Sequence, residues 1–346
     1  MMDFKQKIEK DKRQKAFRNS LILITCAILL LLSLLVSMNT GYSQLSPLDT
    51  LRTLFGGGSE KENLILFDFR LPRIIIAVLV GAGLALSGCM IQGVTGNALA
   101  DPGLLGIHAG AGLAVILSVL FLGSRSAATI FSLPFLALIG AGLTAVLIYF
   151  LAYKKGQGMA PMRLILTGIA VQAGISALTT VLVIRLDDTQ YDFVASWQAG
   201  SIWGSNWSFV LSLLPWIVLL IPFAFYKSKA LDLLSMGDEI ARSLGAKVER
   251  EKAVLLGAAV ILAAVCVSVS GGIGFVGLIA PHLGRRLVGP KHKILLPVCA
   301  MVGAVLVSIA DTVGRILLQP SELPTGIMIA VIGAPYFLYL LAKSKQ

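Results

Sequence analysis

The residues that could carry chemistry in this chain are few and scattered. Each of the four cysteines, Cys26, Cys89, Cys266 and Cys299, lies inside an apolar stretch, and neither a CxxC pair nor a histidine at ligand spacing accompanies them. Metal sites need such clusters of thiolate or imidazole ligands. The sequence therefore predicts no metal site, and we expect the cysteines to act as small buried side chains.

Nucleotide binding is also poorly supported. The run GIGFVG at 272–277 matches GxGxxG, but that pattern has meaning only between a strand and a helix. Here it lies between two apolar segments, so we expect no cofactor there. No GxxxxGK[ST] sequence occurs in the chain, which excludes ATP binding through a P-loop. If ATP drives the work of this protein, another chain must bind it.

Ionisable residues are almost absent from the apolar segments. Asp311 is the main candidate, and Arg315 follows it at the i, i+4 spacing of a local ion pair. An ion-coupled secondary transporter or channel would place acids or histidines near the membrane midplane. A membrane enzyme would need clustered acids, bases or metal ligands. The sequence shows neither pattern, so both classes are disfavoured and no catalytic residue is predicted.

The composition sets the class of protein. Of 346 residues, 56% are hydrophobic and 14% are charged, with a mean hydropathy of +0.85. A soluble domain carries about 25% charged residues, and disordered chains are poor in apolar residues. We therefore predict an all-α polytopic membrane protein.

Ten segments are long and apolar enough to be candidate spans. The eighth is short and begins in a glycine-rich run, so we expect it to be bent or broken. The predicted spans are 20–38, 72–91, 104–122, 130–151, 163–185, 207–226, 252–270, 273–288, 294–312 and 325–342. A basic segment precedes the first span, as in a signal peptide, but no small-x-small cleavage site follows. We interpret this span as a retained helix.

Ten spans with a basic start place both termini in the cytoplasm. In that topology 22 of the 29 lysines and arginines lie on the cytoplasmic side, as the positive-inside rule requires. The net charge of +11 is thereby explained without nucleic acid as a partner. The predicted organisation is a basic segment, 1–19, followed by one transmembrane domain, 20–343.

A long cytoplasmic loop, about 227–251, contains a short amphipathic segment. Gly237 and Gly245 bracket it, Asp238 is a candidate helix cap, and an apolar face is predicted from Ile240, Ala241 and Leu244. That face either packs on the protein's own bundle or on lipid headgroups, or it inserts into a groove on a partner.

Several motifs occur along the chain in a characteristic order. They are RLPR (70–73), GAGLALSGCMIQG (81–93), LADPGLLG (99–106), WQAGS (197–201), LDLLSMGDEIARSLG (231–245), GGIGFVGLIAPHLGRRLVG (271–289), LLP (295–297), AD (310–311) and PSELPTGIMIAVIGAPYFLYLL (320–341). Together they resemble the FecCD-type permeases, the membrane subunits of ABC importers for iron–siderophores, haem and cobalamin, and the motif at 231–245 is similar to their coupling loop. The resemblance covers about 70–342.

The resemblance implies a permease that works by alternating access in the cell membrane of a bacterium. Its expected partners are a second permease subunit, identical or homologous, two ATP-binding subunits, an extracytoplasmic substrate-binding protein and the lipid bilayer. The expected cargo is an iron–siderophore-type chelate, with haem or cobalamin as the alternative. ATP would be hydrolysed by the partner subunits, so the chain itself is not expected to be an enzyme.

Three groups of site residues follow from the resemblance. Docking of the binding protein is expected at Arg70, Arg73 and Arg315, although arginines at helix ends also reach lipid headgroups and Arg315 has Asp311 as a local partner. The inner gate is expected near Ala160, Pro161 and Met162. The ATPase-coupling element is expected at Asp238, Glu239, Ile240, Ala241, Arg242, Leu244 and Gly245.

One stretch departs from the family pattern. The chain has Asn97-Ala98 where the family often has Asn-Pro. Asp101 and Pro102 still suit the N-cap and first position of the third span.

Overall fold

The computed structural model describes residues 2–41, 46–122, 127–154, 161–202, 204–319 and 321–344, and no strand occurs in these ranges. A π-helical turn, Leu64–Arg70, and a 3-10 turn, Pro102–Leu105, accompany the α-helices. The α-helices are α1 (Met2–Asn39), α2 (Pro47–Leu54), α3 (Glu60–Asn63), α4 (Leu71–Thr95), α5 (Ile107–Leu122), α6 (Ala127–Ala152), α7 (Pro161–Val183), α8 (Asp188–Gln198), α9 (Trp207–Tyr226), α10 (Ser228–Leu234), α11 (Asp238–Ser243), α12 (Val248–Ser270), α13 (Val276–Val288), α14 (His292–Leu317) and α15 (Thr325–Ser344).

The predicted all-helical, polytopic membrane fold is confirmed. Within the described ranges, 8 helices are long and apolar enough to cross a membrane. The third and eighth predicted spans correspond to shorter helices, α5 with 16 residues and α13 with 13. At 1.5 Å per residue these reach only about 24 and 20 Å, less than the roughly 30 Å of a hydrocarbon core.

The buried centre of the bundle is α4, which packs against α12, α13 and α14. Backbones approach closely there because glycines face each other. A Cβ atom on Gly88 would overlap the backbone of Gly277, and one on Gly81 would overlap the backbone of Gly303. Small residues allow such contacts in membrane bundles, where close packing replaces the hydrophobic effect.

The eighth predicted span forms a short continuous helix, α13, and the irregular backbone lies just before it. Residues 271–275 separate α12 from α13, and Phe275 has a left-handed backbone with φ of 65°. That conformation is costly for a residue with a Cβ atom. Contact with Phe337 of α15, with ring centroids 6.5 Å apart, holds the Phe275 ring against the bundle.

The third span starts later than predicted. Asp101 accepts a hydrogen bond from the N–H of Gly103 at 2.7 Å and caps the 3-10 turn, with Pro102 as its first residue. Gly106, with φ of +69°, ends that turn before α5 begins at Ile107. The capping role of Asp101 is therefore correct, but the capped element is the turn and not the span.

Candidate functional site

The coupling segment, residues 228–245, is formed by α10 and α11 between α9 and α12. Leu231, Leu234 and Ala241 are buried and fix the segment on the bundle. This corrects the predicted apolar face, because Ala241 points into the protein while Ile240 and Leu244 point out of it. Packing on the bundle is thus the role of Ala241, while insertion of Ile240 and Leu244 into a partner stays a prediction.

An exposed apolar cluster remains on the outer side of this segment. Met236, Ile240 and Leu244 are 57%, 50% and 61% exposed. Glu239, Arg242 and Gly245 of the predicted coupling element are exposed beside this cluster, and Arg242 pairs with Glu249 at 3.2 Å. Exposed apolar side chains rimmed by charges are typical of a surface that binds another protein.

Asp238 does not cap α11. Gly237 occupies the N-cap position with φ of 102°, and Asp238 is the first helical residue. Its carboxylate instead accepts a hydrogen bond from Nζ of Lys252 at 2.6 Å. Lys252 is buried in α12, so this ion pair fastens the start of α11 to a core helix.

A second brace joins α10 to α14. The carboxylate of Asp232 accepts a hydrogen bond from the backbone N–H of His292 at 2.9 Å, and the Nδ1 atom of the same histidine lies 2.8 Å from that oxygen. His292 is the first residue of α14 and is buried. Together with the Lys227–Glu251 pair at 2.8 Å, these contacts fix the segment to two long helices.

At the other end of α14, Asp311 organises a cluster of buried charges. Arg73 donates to Oδ1 of Asp311 through Nε at 3.0 Å and Nη2 at 2.8 Å, and to Glu322 through Nη1 at 2.7 Å. The hydroxyl of Thr325 adds a hydrogen bond to Asp311 at 3.2 Å. One carboxylate thus joins α4, α14 and α15.

Arg315 and Arg70 extend the cluster to α1. The Nε atom of Arg315 lies 3.2 Å from Oδ2 of Asp311, which forms the expected i, i+4 ion pair. Arg315 also donates to Oγ of Ser37 at 2.5 Å and to the carbonyl of Thr40 at 3.1 Å, and Arg70 donates to the carbonyl of Met38. The last turn of α1 is therefore built into the bundle.

The three predicted docking arginines come together, but they are not presented at the surface. Arg70 and Arg315 are buried, at 6% and 5% exposure. The side chain of Arg73 is 12% exposed and is shared between two carboxylates. A cavity of about 350 Å³ adjoins the Arg73–Glu322 pair, and Glu322 is the more exposed partner. Docking at these arginines stays a prediction.

The predicted gate residues are only partly described. Ala160 and the side chain of Pro161 lie outside the described residues, whereas the backbone of Pro161 begins α7. Met162 is exposed. The gate assignment therefore also stays a prediction.

The four cysteines are free and buried, as expected. In the ranges listed above, no group of three or more histidine, cysteine, aspartate or glutamate residues is arranged to hold a metal ion.

Comparison with known proteins identifies the family of this chain. The model of the FecCD transport family matches residues 29–343. The chain belongs to the FecCD transport family. Among its relatives is the iron(3+)-hydroxamate import system permease protein FhuG of Bacillus subtilis, 47% identical, with 96% of this chain and 100% of that one aligned. The Fe(3+) dicitrate transport system permease protein FecD of Escherichia coli is 39% identical, over 81% of this chain and 86% of that one.

Two solved structures share the fold of this chain. An inward-facing metal-chelate type ABC transporter structure superposes with a TM-score of 0.81 and 32% identity, over 93% of this chain and 99% of that one. PsaBC from Streptococcus pneumoniae, at 19% identity and a TM-score of 0.57, shares the fold, with 81% of this chain and 93% of that one covered. The chain is thus a multi-pass membrane permease subunit of a bacterial importer family and not an enzyme.

Sequence reasoning missed four residues that the geometry makes prominent: Asp232, Lys252, His292 and Glu322. Each contacts a partner that is distant in the chain. Asp232 and His292, for example, are separated by 60 residues. A buried lysine five residues into an apolar helix was the one available signal, because such a charge needs a partner.

Proposed function

We propose that this chain is the membrane-spanning subunit of an ATP-driven importer for a ferric hydroxamate-type chelate. The observation that carries the proposal is its 47% identity, across the full length of the relative, to an iron(3+)-hydroxamate import permease. The other relatives named above and below are iron-chelate permeases as well, which favours an iron chelate over haem or cobalamin.

ATP would be bound by separate subunits. The chain has no P-loop, whereas the exposed cluster of Met236, Ile240 and Leu244 supplies an apolar surface of the kind that fills a groove on a partner. Two ATP-binding subunits, one under each of two permeases, would contact this surface. The braces through Asp232 and Asp238 would then carry movement from the partner into α14 and α12.

The second permease subunit is identical or homologous to this one. Two relatives in Bacillus subtilis, YfmE and YfmD, both carry the name Fe(3+)-citrate import system permease protein and are 42% and 37% identical to this chain, which supports a homologous partner. The pair would lie in the cytoplasmic membrane and alternate between outward-open and inward-open forms.

An extracytoplasmic binding protein would deliver the chelate at the arginine cluster. Because Arg73 is already paired with Glu322, an acidic group of the binding protein would have to displace Glu322 to reach it. The neighbouring cavity provides room for that exchange.

Uptake in proteoliposomes tests the proposed cargo. The complete transporter, with its ATPase and binding protein, is supplied with a radiolabelled ferric hydroxamate, ferric citrate, haem or cobalamin. ATP-dependent accumulation of the hydroxamate chelate above the other three is expected. Preferential accumulation of haem or cobalamin would contradict the cargo while leaving the importer assignment intact.

A further inference from the structure

An apolar groove of about 490 Å³ lies on the outside of the bundle between α6 and α12. Gly142, Ala145 and Tyr149 line one wall, and Ala253, Gly257 and Ile261 line the other. A Cβ atom on Gly142 or on Gly257 would meet open space within 4 Å. In a bilayer, small residues normally bring two helices into contact, but here the space between them stays open.

The lining of the groove is apolar throughout apart from the hydroxyl of Tyr149, as suits a hydrocarbon chain. From Ala253 to Ile261, α12 rises by about 12 Å. The groove is lined by residues 253–261 of α12 and 142–150 of α6, so it lies nearer to Val248 than to the other end of α12, and nearer to Ala152 than to the other end of α6. These are the ends closest in sequence to the coupling segment.

A positive charge lies about one helical turn from the groove on α12. Arg250 is exposed, and it shares a helix face with Ala253 and Gly257 because these residues follow at i+3 and i+7. The two neighbouring acids do not neutralise it. Glu249 pairs with Arg242 at 3.2 Å and Glu251 pairs with Lys227 at 2.8 Å.

Two further features beside the groove are typical of the level of lipid headgroups. Arg250, Lys247 and Glu251 line a second cavity of about 290 Å³ beside the first turn of α12. On the opposite wall, Tyr149 stacks on Tyr153 with centroids 5.9 Å apart. Tyrosines gather at the membrane–water interface, where a ring has one apolar and one wet end.

We propose that this groove binds one anionic phospholipid, with an acyl chain between α6 and α12 and its phosphate at Arg250 and Lys247. The apolar groove accounts for the chain, and the exposed arginine, whose adjacent acids are paired with Lys227 and Arg242, accounts for the anionic headgroup. The site belongs to this chain alone and does not depend on which chelate is transported.

Native mass spectrometry of the full chain in detergent tests the site. Phosphatidylglycerol and phosphatidylcholine with identical acyl chains are titrated in parallel. Phosphatidylglycerol is expected to bind about tenfold more tightly, and Arg250→Glu is expected to remove that preference, since each basic group near a membrane surface contributes attraction for anionic lipid. Gly257→Leu fills the groove and is expected to weaken both lipids.

Two matched variants serve as controls. Lys293→Glu reverses another exposed charge at the start of α14, and Gly174→Leu adds the same side chain at another glycine that borders open space. Neither residue lines the groove, so both variants should retain the wild-type lipid affinities.

Three results would overturn the proposal. They are equal affinity for the two lipids, wild-type binding in both Arg250→Glu and Gly257→Leu, and a second copy of the chain protecting the groove in place of lipid. Arg250→Gln, a milder change at an exposed position, repeats the charge test if the glutamate variant fails to fold.

Discussion

Asp232 holds the first residue of α14, His292, through both its backbone N–H and its ring Nδ1. This contact joins the coupling segment to a helix that continues to Asp311 and Arg315. At 1.5 Å per residue, the 26 residues of α14 span about 39 Å. One helix therefore links the proposed ATPase surface to the buried arginine cluster.

Replacing Asp232 should separate ATP hydrolysis from transport. Asp232→Ala removes the acceptor for His292, so α10 could move without α14. We expect an assembled complex whose ATPase activity persists but is no longer stimulated by the loaded binding protein, with uptake strongly reduced. Parallel assays of ATPase activity and uptake check this.

The control for that variant is Glu249→Gln, which breaks the exposed Arg242–Glu249 pair. Exposed pairs contribute only about 0.2–1 kcal/mol, so coupling should be nearly unchanged. If the loaded binding protein still stimulated the ATPase activity of Asp232→Ala fully, the contact between Asp232 and His292 would not transmit movement.

Leu244→Asp should prevent the ATPase from binding. Leu244 is 61% exposed in the free chain, so the variant should fold and insert normally. In a partner's groove, however, the new carboxylate would be buried without a counter-charge, at a cost of several kcal/mol. Co-purification of permease and ATPase measures the loss. Ser243→Asp adds the same charge to a neighbouring exposed residue and should keep the complex. If Leu244→Asp also keeps it, the docking surface lies elsewhere.

The buried charge cluster should matter for stability. Asp311→Ala leaves Arg73 and Arg315 without their shared carboxylate, and breaking a buried ion pair typically costs about 3–5 kcal/mol. We expect a large drop in the thermal unfolding midpoint in detergent. Asp192→Ala removes an exposed acid of α8 and should shift the midpoint little. Equal midpoints for the two variants would contradict the structural role of Asp311.

Glu322→Gln should strengthen docking of the binding protein. The glutamine still fits beside Arg73 but carries no negative charge. A carboxylate of the binding protein can therefore pair with the Arg73 guanidinium without displacing an anion. We expect affinity to rise by up to about fivefold and the wild-type affinity to fall with added salt. Binding measured in nanodiscs at two salt concentrations checks this, with Glu60→Gln as an exposed control. Unchanged affinity and no salt dependence would assign the arginines to structure alone.

The loop carboxylate of Asp101 should make stability depend on pH. Burial raises the pKa of Asp101 to about 6, while the hydrogen bond from Gly103 acts in the opposite direction. Its Oδ2 atom has no hydrogen-bond partner among the described residues. A raised pKa means that the folded chain favours the protonated form, so the stability contributed by this group falls as the pH rises from about 4 to about 6.

Asp101→Asn tests that dependence, because the amide oxygen can still accept from Gly103 but does not titrate. The difference between unfolding midpoints at pH 5 and pH 7.5 should shrink in this variant. If the difference between the two midpoints were the same as in the wild type, other titrating groups would be the cause of the pH dependence.

Much of the fold was predictable because it depends on local hydropathy. The apolar segments and the break before α13 follow from span length and from the glycines at 271–274. The start of α5 was missed because a capped 3-10 turn and an α-helix begin with the same Asp-Pro signal. The helix α11 has only six residues, so its apolar periodicity is too short to show which side faces the bundle. For this reason the sequence pattern predicts Ala241 and Ile240 on the same face.

The site was predictable only where its residues are contiguous. The coupling segment appears as one motif, but its braces depend on partners in other helices, as with Lys252 for Asp238. The arginines were identified from the resemblance, yet their burial against α1 follows from tertiary packing that local patterns do not encode.

The central claim is that this chain moves a chelate but depends on another subunit for ATP. The most direct measurement compares ATP hydrolysis by the purified chain, by the chain with its ATPase, and by a complex containing Asp232→Ala. The account predicts no hydrolysis by the chain alone, hydrolysis coupled to uptake in the complex, and loss of that coupling in the variant. ATP hydrolysis by the isolated chain, or uptake without any ATPase, would contradict it.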